Sequence, residues 1–255
     1  MSWNPDTYLR FDDHRTRPAA ELLARVPHQT PAHVFDLGCG PGNSTALLCA
    51  RWSDAAVEGV DSSEEMLETA RTSGPAATWS QADIADWRCG TPPDVIFSNA
   101  ALQWLGGHDA LLPRLMEQLA SGGVLAVQMP RNFDAPSHTL LREAVEETNN
   151  PRLIQKLRQD PVAEPKTYHR ILAPHAANVD IWETVYLQVL DGDDAVLAWT
   201  RGTALVPFTS ELEGAELDEF IENYRRKLAT AYPREADGTT LFAFKRIFMV
   251  AHRRA

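Results

Sequence analysis

A glycine-rich turn is the feature of this sequence with the clearest chemical meaning. Gly38, Gly40 and Gly42 follow the apolar stretch at residues 34–37 and precede a helix-like pattern that starts near Asn43. Glycine lets the backbone approach a ligand that a Cβ atom would exclude, and doubly wound sheets bind ligands at the first strand-to-helix turn. The turn therefore predicts a site where main chain contacts a small ligand.

Acidic residues at the ends of neighbouring candidate strands suggest which ligand this is. The carboxylate of Asp61 could accept hydrogen bonds from both hydroxyls of a ribose, and Asp83, with the backbone near Ile84, could take an adenine amino group. Asp36 would suit a cation such as a sulfonium or an ammonium. A helix cap at Asp83 and a core position for Met66 remain alternatives at this point.

The spacing of the glycines argues against a phosphate-containing ligand. The dinucleotide fingerprint requires glycine three positions after Gly40, where this chain has Asn43. A P-loop motif is also absent from the sequence, and residues 35–49 contain no Lys or Arg. An adenosine ligand without phosphates is therefore favoured, and an NAD-dependent oxidoreductase is the less favoured alternative.

The elements around this turn predict an α/β fold. Five short apolar strands alternate with helices, which is typical of βαβ units and a parallel sheet. We expect a single domain over residues 1–255, with a core at about 18–135, 166–192 and 238–255. A helical lid is expected from about 1–17, 136–165 and 193–237. Pro18 is expected to interrupt or restart the first helix.

Composition limits the partners and the compartment. The 255 residues include 24 Lys and Arg against 35 Asp and Glu, a net charge of −11 that disfavours nucleic acid and anionic membranes. Cys39, Cys49 and Cys89 form neither a disulfide framework nor a metal motif. No apolar leader or membrane span is evident, so a cytoplasmic protein without a metal is expected.

Several motifs resemble the Rossmann-like S-adenosylmethionine-dependent methyltransferases. The residues that carry the resemblance are Asp36-Leu37-Gly38-Cys39-Gly40-Pro41-Gly42, Asp61-Ser62-Ser63, Ala82-Asp83-Ile84 and Gly122-Gly123-Val124-Leu125. The resemblance implies a mostly parallel seven-stranded sheet whose last strand is antiparallel. It implies S-adenosylmethionine as cofactor, S-adenosylhomocysteine as product, and a cofactor site that includes Ser62, Met66 and Asn99.

A narrower resemblance points to the methyl acceptor. The chain is similar, nearly end to end, to bacterial methyltransferases that esterify trans-aconitate, through motifs such as Trp3-Asn4-Pro5, Ser98-Asn99-Ala100-Ala101-Leu102-Gln103-Trp104-Leu105 and Val127-Gln128-Met129-Pro130. This resemblance implies transfer of a methyl group to one carboxylate of a tricarboxylate. Another small acceptor, for O- or N-methylation, and a cofactor-binding regulator without catalysis are the alternatives. DNA methylation is disfavoured, because Asn99 is followed by Ala100-Ala101-Leu102 and not by the family's Pro-Pro-aromatic motif.

Ester formation of this kind depends on positioning. A carboxylate with a pKa near 4 is already ionised at pH 7, so no catalytic acid or base is predicted. A tricarboxylate is best met by Arg, whose planar fork pairs with carboxylates. Substrate contacts are expected from the N-terminal segment, from the turn after the fourth strand and from the lid: Tyr8, Phe11, Arg15, Arg17, Gln103, Trp104, Tyr168 and Arg201.

Ordinary structural roles compete with these assignments. Surface ion pairs could account for the N-terminal Arg residues, and core packing could account for Trp104. His108, His138 and His175 have no metal-ligand spacing and are expected to be solvated or to cap helices.

Overall fold

The computed structural model describes residues 12–157 and 161–254, with side chains from residue 16 onward. The strands are β1 (His33–Leu37), β2 (Ala56–Asp61), β3 (Thr78–Gln81), β4 (Val95–Asn99), β5 (Val124–Pro130), β6 (Ala176–Leu190) and β7 (Thr240–Arg253). The helices are α1 (Asp12–Ala24), α2 (Asn43–Arg51), α3 (Glu64–Ser73), α4 (His108–Gln118), α5 (Pro136–Glu147), α6 (Pro151–Ile154), α7 (Pro165–Leu172), α8 (Ala195–Arg201), α9 (Val206–Thr209) and α10 (Gly214–Ala231). A short 3-10 turn, Leu102–Trp104, follows β4.

The seven strands form one sheet in the order β3-β2-β1-β4-β5-β7-β6. Strand β1 pairs in parallel with β2 and β4, and β4 pairs in parallel with β5. Strand β7 runs antiparallel to β5. The α/β class and the antiparallel last strand are thereby confirmed.

Burial on both faces explains the composition of the central strands. Parallel strands covered on two sides are nearly continuous runs of apolar residues. Four of the five residues of β4 and six of the seven of β5 are buried. The polar residues in these strands occur where each strand ends, which is where a ligand can meet them.

The strand register places four polar side chains on one face of the sheet near this edge. Directly paired residues project to the same face, as do residues two apart along a strand. Asp36 pairs with Phe97, two residues before Asn99, and Asn99 pairs with Gln128. Arg246 lies two residues before Phe248, the partner of Gln128. We call Asp36, Asn99, Gln128 and Arg246 the polar row.

Helix α1 continues through Pro18, so the expected interruption is wrong. A proline inside a helix removes one backbone hydrogen bond and costs about 3 kcal/mol. Contacts of the following turns with β6 offset this cost. Glu21 accepts hydrogen bonds from Trp182 Nε1 and Thr184 Oγ1, and the guanidinium of Arg25 lies over the Trp182 ring.

The chain divides into two compact units. The sheet unit contains residues 13–130, 162–184 and 246–254, and the helical unit contains residues 131–157 and 185–245. In the helical unit, α5, α8 and α10 enclose a core with Trp199, Tyr224 and Phe242. The Tyr224 hydroxyl donates to the carbonyl of Ser137 over 2.6 Å. The assignment of the helices to a lid stays a prediction.

Helix α7 was not predicted from the sequence pattern. It begins at Pro165 and buries Tyr168 and Leu172, which lie one turn apart on the same face. None of the helices in the described part of the chain combines the length and the apolar character needed to cross a bilayer.

Candidate functional site

The glycine turn joins β1 to α2 and is hydrogen-bonded to β2. Gly38 N and Cys39 N both donate to the carbonyl of Val60, over 2.7 and 3.1 Å. Gly38 has a φ of 76°, and a Cβ atom added there would lie 2.1 Å from the Cβ of Ala101. The turn after β1 and the turn after β4 are therefore in direct contact.

The space around Gly40 is open, whereas the space around Gly38 is filled by neighbouring atoms. Gly40 has a φ of 54°, and no heavy atom among the described residues lies within 4 Å of an added Cβ. Gly42 ends the turn as the residue before α2, beneath the ring of Trp79. An open backbone between two packed glycines is the cradle that close approach of a ligand requires.

Asp36 is completely buried at the end of β1. Its Oδ2 accepts hydrogen bonds from Ser44 Oγ and Thr45 Oγ1, each over 2.7 Å. Its Oδ1 is buried and has no hydrogen-bond partner within the described residues. Burial raises the pKa of Asp36 to about 6, against the opposing effect of the two hydroxyls. A cation brought to Oδ1 would therefore be strongly favoured.

Asp61 fixes the glycine turn to the start of α3. Its Oδ2 accepts from Gly40 N and its Oδ1 from Ser63 N, both over 2.9 Å. The side chain is half-buried. Each carboxylate oxygen can accept a second hydrogen bond, so Asp61 retains acceptor capacity for a ligand. Ser62 beside it is exposed, and Met66 in the first turn of α3 is buried.

Asp83 and Ile84 lie in the loop after β3. Asp83 is exposed, and its Oδ1 accepts from Ala85 N over 2.8 Å, so it caps a turn and not a helix. Ile84 is buried with its Cδ1 3.4 Å from the added Cβ position of Gly38. Arg114 of α4 holds this loop through the carbonyls of Ile84 and Trp87, a role that the sequence did not predict.

The turn after β4 is strained and rich in amides. Ala100 has a φ of 54°, which is uncommon for a residue with a Cβ. Gln103 Nε2 donates to the carbonyl of Ala100 over 2.6 Å and holds this conformation. Asn99 Oδ1 and Gln103 Oε1 are buried with no hydrogen-bond partner among the described residues. Trp104 is 41% exposed, so the alternative of core packing is wrong.

Tyr168 is fully buried and is linked to the turn after β4 through His108. Its hydroxyl lies 2.8 Å from His108 Nδ1 and accepts from Ala163 N over 3.1 Å. His108 Nε2 lies 2.9 Å from the carbonyl of Leu102. A carbonyl only accepts, so Nε2 carries the proton and Nδ1 accepts from the tyrosine. The expectation that His108 is solvated or caps a helix is wrong, because its two ring nitrogens bond to Tyr168 and to the carbonyl of Leu102.

Of the expected N-terminal contacts, the structure places Arg15 and Arg17 on α1. Tyr8 and Phe11 lie outside the described residues, and only the backbone of Arg15 is described. Arg17 is exposed and lies one helical turn before Glu21. The Arg25–Asp180 and Glu21–Thr184 contacts show that α1 runs antiparallel to β6.

Arg201 belongs to the helical unit. It is exposed at the last residue of α8. In the same unit the side chain of His138 is half-buried. Desolvation by burial, and to a smaller extent the positive charge of Arg142, lower its pKa to about 4. The expectation of a solvated His138 is therefore wrong. Among the described residues no group of His, Cys, Asp or Glu could hold a metal ion.

Gln128 and Arg246 were not predicted as site residues. Gln128 is completely buried at the end of β5, and Arg246 of β7 is 4% exposed. Arg246 Nη1 donates to Gln128 Oε1 over 3.3 Å, while Gln128 Nε2 has no hydrogen-bond partner among the described residues. Their position near Asn99 depends on strand order, which the sequence pattern alone does not fix.

Comparisons with known proteins agree with this arrangement. The model of the methyltransferase domain family matches residues 34–123, which span the glycine turn, Asp61, Asp83 and the β4 turn. The YcgJ protein from Bacillus subtilis has a similar fold, with a TM-score of 0.60 at 15% identity over 94% of this chain and 99% of that one. A Haemonchus contortus phosphoethanolamine N-methyltransferase 2 in complex with S-adenosyl-L-methionine has a TM-score of 0.56 at 17% identity, over 94% of this chain and 53% of its own. The fold is the Rossmann-like one of these structures, and the matched family model describes a methyltransferase domain.

Relatives of known name narrow this class. The trans-aconitate 2-methyltransferase of Azoarcus sp. is 48% identical over 255 residues, 99% of each chain. That of Paracidovorax citrulli is 47% identical over 260 residues, again 99% of each. The chain belongs to the trans-aconitate 2-methyltransferase family.

Proposed function

We propose that this protein transfers a methyl group from S-adenosylmethionine to one carboxylate of trans-aconitate. The products are the monomethyl ester and S-adenosylhomocysteine. The names of the full-length relatives support the acceptor, and the arrangement of the glycine turn supports the cofactor. The single observation that carries the proposal is the buried Oδ1 of Asp36 without a hydrogen-bond partner among the described residues, next to an open backbone at Gly40.

The described residues fit an adenosyl sulfonium cofactor. Asp36 Oδ1 would accept from its ammonium group, and Asp61 would accept from its ribose while keeping the turn in place. Remaining contacts are assigned to Gly38, Gly40, Gly42, Ser62, Met66, Asp83, Ile84 and Asn99. When bound, the cofactor supplies a methyl group on a positively charged sulfur, which a carboxylate oxygen can displace.

The residues of the chain then have to bring an anion to that methyl group. The acceptor carboxylate is ionised without help, since its ordinary pKa lies near 4. Alignment of two bound reactants can supply about 7–11 kcal/mol of the barrier. We assign acceptor contacts to Arg15, Arg17, Gln103 and Trp104, and to Tyr8, Phe11 and Arg201 in the remaining segments. Tyr168, which the sequence analysis expected to contact the acceptor, is completely buried, so we assign it a supporting role through His108 instead.

Product analysis tests this function. The purified protein is incubated with methyl-labelled S-adenosylmethionine and a mixture of aconitate isomers, citrate and isocitrate, and the products are identified by mass spectrometry. We expect label in a monomethyl ester of trans-aconitate. Label in a different acid, or in none, would contradict the acceptor. Binding of NAD with no binding of S-adenosylhomocysteine would contradict the cofactor.

A further inference from the structure

Along the polar row, from β1 to β5, the buried atoms without partners among the described residues change from hydrogen-bond acceptors to a donor. On β1 and β4 the buried atoms without partners among the described residues are acceptors, Asp36 Oδ1 and Asn99 Oδ1. On β5 the corresponding atom is a donor, Gln128 Nε2. Acceptors attract the cationic groups of a ligand and a donor attracts its anionic groups, so the two ends suit different partners.

Arg246 fixes the direction in which Gln128 donates. A guanidinium carries only donors, so the carboxamide must turn its oxygen toward Arg246 Nη1, as the 3.3 Å contact shows. The amide NH₂ must then point away from Arg246. Since Gln128 is fully buried, this orientation leaves two N–H donors to be satisfied by whatever enters the site.

The distance from Asp36 indicates which ligand this is. Strands β1, β4 and β5 are consecutive in the sheet, so Asp36 and Gln128 are two strand spacings apart, about 10 Å. The ammonium and the carboxylate of the cofactor are bonded to the same carbon atom. If Asp36 holds the ammonium, the cofactor carboxylate lies beside it at the β1 end of the polar row, whereas Gln128 stands at the β5 end.

We propose that Gln128 donates a hydrogen bond to a carboxylate group of the methyl acceptor and that Arg246 is its positioning residue. The inference rests on the proposed function and adds a specificity-determining residue to it. A buried donor that meets an anion gains a charge-assisted hydrogen bond, which is roughly twice as strong as one to a neutral oxygen, and a cationic group offers it no acceptor. The pair therefore selects for acids.

Two substitutions at Gln128 test the inference. Gln128→Met keeps the volume and removes the donors, and Gln128→Glu places a negative charge against the acceptor. The measurements are the KM for trans-aconitate and its Kd for the protein loaded with S-adenosylhomocysteine, by calorimetry. We expect both constants to rise at least tenfold in Gln128→Met and at least a hundredfold in Gln128→Glu, with the affinity for S-adenosylhomocysteine changed by less than twofold.

Gln118→Met is the matched control, because Gln118 of α4 also makes internal hydrogen bonds, to Cys89 N and the carbonyl of Trp87. It is expected to leave both acceptor constants unchanged. Unchanged constants in Gln128→Met, or an equal loss of cofactor affinity, would overturn the inference. If Gln128→Glu does not fold, Gln128→Met and Gln128→Asn decide, with binding of S-adenosylhomocysteine as proof of folding.

The role of Arg246 has its own test. Arg246→Lys should raise the acceptor KM in the unmodified background and have no further effect when combined with Gln128→Met. Independent effects of the two substitutions would show that Arg246 does not act through Gln128. Failure of the unmodified protein to methylate trans-aconitate would contradict the proposed function, whereas these variants address the residue assignment alone.

Discussion

The ends of β1 and β2 differ from the ends of β4 and β5 in how their polar groups are used. At the first pair, the backbone N–H groups of Gly38, Gly40 and Ser63 are all bonded to Val60 or Asp61. At the second pair, side-chain amides of Asn99, Gln103 and Gln128 each keep one buried atom without a partner among the described residues. The first region bonds these backbone N–H groups within the protein and keeps one buried acceptor open, Asp36 Oδ1, whereas the second keeps three side-chain amide atoms open, among them the donor Gln128 Nε2.

This difference shows how one sheet edge can serve two reactants. The cofactor side needs a fixed shape, because main chain has to approach an adenosyl group closely. The acceptor side needs unsatisfied donors and acceptors, because discrimination comes from polar groups that only the right acid satisfies. Substitutions on the first side should therefore affect folding and cofactor binding, and those on the second side should affect the acceptor.

Gly38→Ala should have the largest effect. Its Cβ would lie 2.1 Å from that of Ala101, at a positive φ. The left-handed conformation and overpacking together should lower the free energy of unfolding by about 2–5 kcal/mol. Chemical denaturation measures the change. Gly107→Ala is the control, because its φ is also positive but its added Cβ meets no described atom within 4 Å, so it isolates the cost of φ. Equal losses in the two variants would contradict the contact between the turns.

Asp36→Asn should abolish the pH dependence of cofactor binding. In the unmodified protein, the affinity for S-adenosylhomocysteine should fall about tenfold for each pH unit below the pKa of about 6, because only the ionised form attracts the ammonium group. The variant should bind at least a hundredfold more weakly at pH 8, with no such slope. Calorimetry across pH 5–8 measures both. A slope that survives the substitution would show that another group titrates.

The same substitution should stabilise the protein without ligand. The folded-state pKa of Asp36 is raised, so the folded state binds the proton more tightly than the unfolded state does. Stability therefore falls as the pH rises from about 4 to about 6, by roughly 3 kcal/mol. Asp36→Asn lacks this loss and should be more stable at pH 8. A lower melting temperature for the variant at pH 8 would contradict the burial of a charge at this position.

Arg17→Ala should raise the acceptor KM about tenfold, as expected from the loss of a charged hydrogen bond worth about 1.5 kcal/mol. Cofactor affinity should not change. Arg25→Ala is the control, because Arg25 directly follows α1 and contacts Asp180 and Trp182. An equal rise in KM in both variants would indicate a general effect of surface charge and not a contact of Arg17.

Tyr168→Phe should have the smallest effect. It removes the hydroxyl between Ala163 and His108 and loosens the Leu102–Trp104 turn, so kcat/KM should fall two- to threefold, with a loss of stability of about 1 kcal/mol. Tyr224→Phe, which loses one buried hydrogen bond in the helical unit, should cost similar stability and leave kcat/KM unchanged. Matching kinetic losses would contradict a link between Tyr168 and the turn.

The fold was largely predictable because it depends on local pattern. Short strand patterns predicted the five strands of the parallel part, and the family resemblance implied the seven-stranded sheet with its antiparallel last strand. The passage of α1 through Pro18 was not predictable, since tertiary contacts such as those of Glu21 with Trp182 and Thr184 outweigh local preference there.

Site residues could be predicted only where the residues of one turn and the neighbouring strand end identify them locally. The sequence predicts Asp36, Gly40 and Asp61 as cofactor contacts from their positions at strand ends and in the turn between them, and the structure joins two of them through the Gly40 N–Asp61 hydrogen bond. Gln128 and Arg246 could not be predicted, because their meeting depends on the pairing of β5 with β7, which lies more than a hundred residues later in the chain. The support of Leu102 by His108 and Tyr168 likewise depends on a long-range contact.

The contact between Gly38 and Ala101 restricts how the acceptor range of this protein can be re-engineered. A larger side chain at either position would overlap with the residue at the other. A mutant library directed at new acids should therefore keep position 101 small and diversify position 104, where the indole is 41% exposed. A bulky residue at position 101 would displace the glycine turn that is proposed to bind the cofactor, so such variants would lose cofactor binding whatever acid is offered.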